Sequence, residues 1–125
     1  MIFVDTNVFM YAVGGSHPLR SKARQRLIEL TGKRTALATS AEVLQEFLHA
    51  YLPVGRLDTL DAALRLATDL AEVWPVEAED VVRARELVVQ HPGLSARDLI
   101  HLSVCARRSA TELWTFDRAL GAAWS

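Results

Sequence analysis

Residues 1–7 read Met1-Ile2-Phe3-Val4-Asp5-Thr6-Asn7. Ile, Phe and Val in an unbroken run predict a short strand buried on both faces. Asp5, Thr6 and Asn7 are residues that cap helices, so a helix is expected to follow at once, over Asn7–Val13, until Gly14-Gly15 breaks it. A strand that passes straight into a helix is the first half of a crossover unit. An acid at that junction stands on a rigid base in a partly dry setting.

The same alternation continues along the chain. Pro18 suits the first turn of a helix running to Thr31 and stopped by Gly32, with Ala23, Leu27 and Leu30 on its apolar face. Thr35–Ala38 reads as a second strand. Thr39-Ser40-Ala41-Glu42 has the capping-box spacing, with Glu42 reaching back to Thr39. The helix it opens carries Val43, Leu44, Phe47, Leu48 and Tyr51 before Pro53 and Gly55. An amphipathic helix is expected over Asp58–Ala71, and a strand over Val73–Val76 whose Pro75 places it at a sheet edge. Glu77–Gln90 reads as a helix broken by His91-Pro92-Gly93. Ser95 opens another, with Asp98 three positions on, and Leu113–Phe116 is the last strand, followed by a short tail, Arg118–Ser125.

Strands alternating with helices predict an α/β fold: a parallel sheet with helices on both faces, doubly wound by right-handed crossovers. At 125 residues and 50% apolar composition the chain forms a single domain, residues 1–125, with one core. No apolar run is long enough to span a bilayer, so no membrane association is expected. The N-terminus lacks the basic region and cleavage pattern of a signal peptide. Cys105 stands alone, which excludes an internal disulfide and fits a reducing, cytoplasmic compartment.

In doubly wound sheets, ligands bind beyond the carboxyl ends of the strands at the topological switch point. Asp5 and Asp117 both fall at expected strand ends, which is the physical reason to place them in one site. Glu46 has no local task and lies between Leu44 and Phe47, where an unpaired carboxylate is costly. Glu42 is accounted for by the capping box, so Glu46 is the expected site acid. Asp98 has a capping role that explains it alone, although the amino end of its helix favours an anion. Asp117 could likewise be a turn or cap residue. His17, His49, His91 and His101 show no paired metal-ligand spacing; His49 and His101, three residues after Glu46 and Asp98, are placed where either could flank the site, but partly buried helix histidines are the plainer reading.

Four carboxylates in one pocket attract a counter-charge, and oxygen ligands select Mg²⁺ or Mn²⁺ over zinc. Such ions activate water and stabilise the charge of an in-line displacement at phosphorus, so a phosphodiester is the natural substrate. The net charge of −1 gives no overall pull toward a polyanion. The segment His17–Arg34, however, concentrates Arg20, Lys22, Arg24 and Arg26, with Lys33 and Arg34 at its end, against the single acid Glu29. It is a candidate patch for a polyanion, the plain alternative being a solvated helix face. There is no glycine-rich phosphate loop, nucleophile elbow or zinc motif.

Four segments in order — Ile2–Asn7, Ser40–Phe47, Ser95–His101 and Leu113–Asp117 — resemble the motifs of PIN-domain proteins, most closely VapC-type ribonuclease toxins of bacterial toxin–antitoxin pairs. The resemblance implies a three-layer α/β/α domain and an RNA endonuclease using Mg²⁺ or Mn²⁺. Carried over by position, Asp5 and Asp98 match the principal metal ligands. Glu46 and Asp117 match the other catalytic acids, and Thr6, Asn7 and Thr115 match polar residues that bond the acids or the phosphate. It also implies a small neutralising antitoxin and a homodimer. Many such domains end in a further strand, whereas this chain stops at Ala122-Ala123-Trp124-Ser125, so the sheet has four strands or five. Two other readings of the residues stand beside this one. A non-catalytic module would grip RNA or protein without cleaving. A phosphoryl-transfer domain would share the first-strand Asp, but Asn7 stands where a second Asp is usual, and no lysine follows Lys33.

Overall fold

The computed structural model describes residues 1–125. Strand β1 (Ile2–Val4) runs into α1 (Thr6–Val13), and α2 (Arg20–Gly32) leads to β2 (Leu37–Ser40). Helices α3 (Ala41–Tyr51) and α4 (Leu57–Leu70) connect to β3 (Glu72–Trp74). Helices α5 (Ala78–Leu87) and α6 (Ala96–Arg107) connect to β4 (Glu112–Trp114), and α7 (Arg118–Trp124) follows. All strand pairs are parallel, in the order β3-β2-β1-β4.

That order makes the site. The chain winds outward from β1 through β2 to β3, then returns to place β4 on the other side of β1. Right-handed crossovers put the helices of the two halves on opposite faces, which gives three layers, α/β/α. Helices α1–α4 pack among themselves, α5 packs on α6, and α7 meets α6 and β4. The winding reverses between β1 and β4, so the crevice beyond their carboxyl ends is the switch point. Asp5 leaves β1 there, its N–H bonded to the Trp114 carbonyl at 2.9 Å.

The core explains the rigidity of this edge. Phe3 and Val4 are fully buried, as are Val8, Phe9, Val43 and Phe47. Phe9 of α1 meets Phe47 of α3 edge to face, with centroids 6.0 Å apart. Burying each phenyl ring contributes about 1.5–3 kcal/mol. The helices bearing Asn7 and Glu46 are thereby fixed to each other.

The structure departs from the sequence expectation at several element ends. Strand β2 continues through Ser40, paired with Trp74 of β3, so Thr39 lies in the sheet and donates its hydroxyl to the Val4 carbonyl at 2.9 Å. Ser40, accepting from Val43 N–H, is the cap of α3, and the Thr39–Glu42 capping box does not form. Helix α2 starts at Arg20, past Pro18. Strand β3 ends before Pro75 and is indeed an edge strand. The expected tail is a helix, α7, capped by Asp117, and the sheet has four strands with no fifth. Ser95 does cap α6, accepting from Asp98 N–H at 3.2 Å.

Candidate active site

Asp5 caps α1 while remaining only 5% exposed. A carboxylate buried to that degree is costly unless hydrogen-bonded. Its Oδ1 accepts from Thr6 N–H at 2.7 Å, and its Oδ2 from the Thr115 hydroxyl, also at 2.7 Å. Burial still dominates and pushes the Asp5 carboxyl above the ordinary carboxylate range.

Thr115 joins the strand ends. Besides donating to Asp5, its Oγ1 accepts from Asn7 Nδ2 at 3.2 Å and from Asp117 N–H at 3.0 Å. Asn7 returns the contact through Oδ1, which accepts from Phe116 N–H at 3.1 Å. Because β4 stops at Trp114, residues Thr115–Asp117 form the turn that wraps this edge.

Glu46 approaches from α3. Its Oε2 accepts from the Thr6 hydroxyl and lies 3.1 Å from His101 Nε2. The same imidazole nitrogen is 3.5 Å from Asp5 Oδ1. A ring nitrogen set between two carboxylates is best occupied by a proton, so Nε2–H faces both acids. Buried His101 is held above the ordinary histidine value: burial works against its charge, but Glu46 and Asp5 outweigh it. Despite its own burial, Glu46 is held below the usual carboxylate range by His101 and Thr6. The trio thus shares one imidazole nitrogen between Glu46 and Asp5, with burial bearing hardest on Asp5.

The four acids proposed from the sequence meet at this edge unevenly. The ligand atoms of Asp5, Glu46 and His101 lie within 4.8 Å of one another. Asp98, in the first turn of α6, stands outside that trio but within its field. Burial and the charges of Asp5 and Asp117 raise its carboxyl value. Asp117 is exposed and caps α7, accepting from Leu120 N–H at 3.1 Å. Glu42, freed from capping, turns toward Glu46, and burial and that neighbour raise its carboxyl value. Arg97 approaches it at 3.9 Å and brings a cation to the mouth of the pocket.

His101 is the residue the sequence did not assign, and its donor set is therefore not oxygen alone. The signal was its position three residues after Asp98, on one helical face. The basic patch also divides. Arg24 Nε donates to the Ala12 carbonyl at 2.7 Å. Arg26 pairs with Glu112 at 2.8 Å and lies over the Trp114 ring, 4.4 Å from its centroid. Lys22 is exposed, and Arg20 has an Nε without a protein partner. The residues at the edge fit a divalent cation: carboxylates outnumber cations there, and Asp5, Asp98 and Glu42 are all raised, burial being the largest cause.

An acid cluster at the switch point of a four-stranded parallel sheet defines the class: this is a PIN domain, and the PIN domain family model matches residues 2–123. Ribonuclease VapC23 of Mycobacterium tuberculosis (strain ATCC 25618 / H37Rv) is 58% identical over 124 residues, covering 99% of this chain and 98% of that protein. Ribonuclease VapC13 of the same strain is 40% identical over 119 residues, covering 94% of this chain and 91% of that protein. The chain belongs to the VapC ribonucleases of the PIN-domain family. Two solved structures share its fold. The crystal structure of M. tuberculosis VapC20, a sarcin-ricin loop cleaving toxin, superposes with a TM-score of 0.79 at 24% identity, covering 98% of this chain and 95% of that one. VapBC2 from Rickettsia felis, bound to a DNA fragment from its promoter, gives a TM-score of 0.72 at 21% identity, covering 94% and 88%.

Proposed function

We propose that this protein is a toxin of a toxin–antitoxin pair: an endoribonuclease that hydrolyses RNA phosphodiesters with Mg²⁺ or Mn²⁺ and is silenced by a small antitoxin. The observation that carries the reading is the cluster of Asp5, Glu46 and His101, with Asp98 and Asp117 beside it, at the switch point of the sheet.

Asp5 and Asp98 are the acids that would hold the ion, with Glu46 adjoining. When bound, the ion supplies Lewis-acid stabilisation at the phosphoryl oxygens and makes water a stronger nucleophile at neutral pH. The chain's own residues do the positioning. Thr115 and Thr6 N–H fix both oxygens of Asp5. Thr6 and His101 fix Glu46, and Asn7 ties the β4–α7 turn to α1. Glu46 and Asp117 position the attacking water. In hydrolysis the water oxygen bonds to phosphorus as the ester P–O bond breaks; the water's proton goes to a site carboxylate, and the departing oxygen takes up a proton from solvent water. Arg20 and Lys22 hold flanking phosphates, an electrostatic role independent of sequence. Arg24 and Arg26 support that surface through their contacts to Ala12 and to Glu112 and Trp114.

The antitoxin has an apolar place to dock. A groove of about 680 Å³ between α2 and α4 is lined by Val13, Leu27, Ile28, Leu66 and Leu70, and Ile28 is 72% exposed. A second apolar strip, Leu48, Leu52, Val54 and Leu57, lies exposed at the α3–α4 turn and suits a homodimer contact.

Purified protein should cut RNA with Mn²⁺ or Mg²⁺ and stop in EDTA. Full activity in Asp5→Ala or Asp98→Ala would overturn the assignment. Sedimentation of the protein, alone and with the product of any short reading frame found beside its gene, tests the dimer and the antitoxin.

A further inference from the structure

Beside the acid pocket lies an aromatic cluster that the cleavage chemistry does not use. Tyr11 of α1 stacks on His17, with centroids 4.4 Å apart and planes 23° from parallel. Phe116 of the β4–α7 turn meets Tyr11 nearly edge on, at 5.6 Å. Tyr11 and Phe116 are half-buried and His17 is exposed.

These rings are held, not loose. Leu19 N–H donates to His17 Nδ1 at 3.1 Å, which fixes the imidazole from its own loop and makes Nδ1 an acceptor. Phe116 is fixed by the bond from its N–H to Asn7 Oδ1. Tyr11 is four residues after Asn7, one turn along the same face of α1. Asn7 bonds Thr115, and Thr115 bonds Asp5. The platform is therefore joined to the reactive edge through two side chains.

Flat, pre-positioned rings beside a pocket of acids match the needs of an unpaired nucleotide, whose base stacks on them. We propose that Tyr11 and His17, flanked by Phe116, stack the unpaired base next to the scissile phosphate, so that the substrate is a single-stranded segment with a modest preference there for strongly stacking bases. The inference rests on the ribonuclease reading and adds what that reading lacks, a place where the base is read. A base-paired strand cannot present its face to the stack, so duplex RNA is a poor substrate.

The test compares wild type, Tyr11→Leu, His17→Ala and Tyr11→Phe on a random-sequence RNA pool and on one unstructured oligoribonucleotide with Mn²⁺. Loss of one base stack predicts a KM roughly tenfold higher for Tyr11→Leu and His17→Ala, with kcat within about twofold of wild type. Base bias beside the cut, read by sequencing the ends, should flatten in both variants, and Tyr11→Phe should restore bias and KM. A second probe needs no turnover. 2-Aminopurine placed beside the cut should be quenched on binding Asp98→Asn protein, and not when His17→Ala is added. Unchanged KM, bias and quenching in Tyr11→Leu and His17→Ala would overturn the platform while leaving the ribonuclease standing. A wild-type protein that cleaves no RNA would overturn the ribonuclease reading and the platform with it.

Discussion

His101 Nε2 and Glu46 Oε2 lie 3.1 Å apart across 55 residues of sequence, and the same nitrogen reaches Asp5 Oδ1 at 3.5 Å. One buried imidazole thus orients two acids delivered by different elements. His101→Ala should lower kcat by about 10- to 100-fold, the usual cost of losing a group that orients site ligands. His101→Gln, which keeps an N–H donor, should recover much of it. Equal losses in the two variants, measured at saturating Mn²⁺, would argue against an orienting role.

Metal affinity should rise with pH. Asp5 and Asp98 hold their protons above the ordinary carboxylate range, and His101 above the ordinary histidine value. Each proton lost as pH rises leaves the pocket more negative, so binding a cation is coupled to proton release. Titration calorimetry with Mn²⁺ should show tighter binding at pH 8 than at pH 5, with heats that depend on the buffer's ionisation enthalpy. Affinity that stays flat across that span would dissolve the shared cluster.

Asp98→Asn should abolish cleavage yet stabilise the metal-free protein. A group whose folded pKa is raised contributes stability at low pH and loses it as pH rises through the folded value. Asp98, Asp5 and His101 all follow that sign, whereas Glu46, held low, loses its contribution only in acid. In EDTA at pH 8 the variant should therefore melt above wild type, with the gap closing as pH falls and wild-type Asp98 takes up its proton. Matching melting curves at pH 8 would contradict this.

The largest stability effect of a single charge should lie far from the pocket. Asp80 is 1% exposed and receives Arg107 Nε at 2.8 Å and Nη2 at 2.9 Å, while Arg107 also donates to the Pro75 carbonyl at 3.0 Å. Arg107→Ala leaves Asp80 with the Glu77 N–H but no charge partner, and should cost about 1.5–3 kcal/mol, the range for a hydrogen bond to a charged group. Arg107 and the Glu77 N–H hold Asp80 below its ordinary value of 3.8. Its contribution is thus complete above that value and disappears as pH falls toward the lowered one. Denaturant titrations at pH 7 and pH 3 should show the Arg107→Ala deficit shrinking in acid.

What the sequence made legible follows from which forces are local. Apolar runs ending in Asp5 and Thr115-Phe116-Asp117 marked the sheet edge because strand burial is written in neighbouring residues. Glu46 stood out because Leu44 and Phe47 had to be buried beside it. His101 was hidden because a lone histidine on an apolar helix reads the same whether it faces core or carboxylates. Only the meeting of α3 and α6 decides between them. The capping of α3 was misplaced by one residue because Thr39 and Ser40 are both competent caps, and pairing with Trp74 of β3, a tertiary contact, extends the strand through Ser40. For Arg26 the sequence shows the charge but not Glu112 and Trp114 beside it, since those contacts are made only by the fold.

The hydroxyl of Thr115 grips Asp5 from 110 positions further along the chain. On a ribosome the acids of β1 and α3 emerge early, but β1 keeps an open edge until β4 arrives and brings Thr115 with it. The order of the strands thus leaves the second oxygen of the first-strand acid ungripped until the last strand is laid beside it.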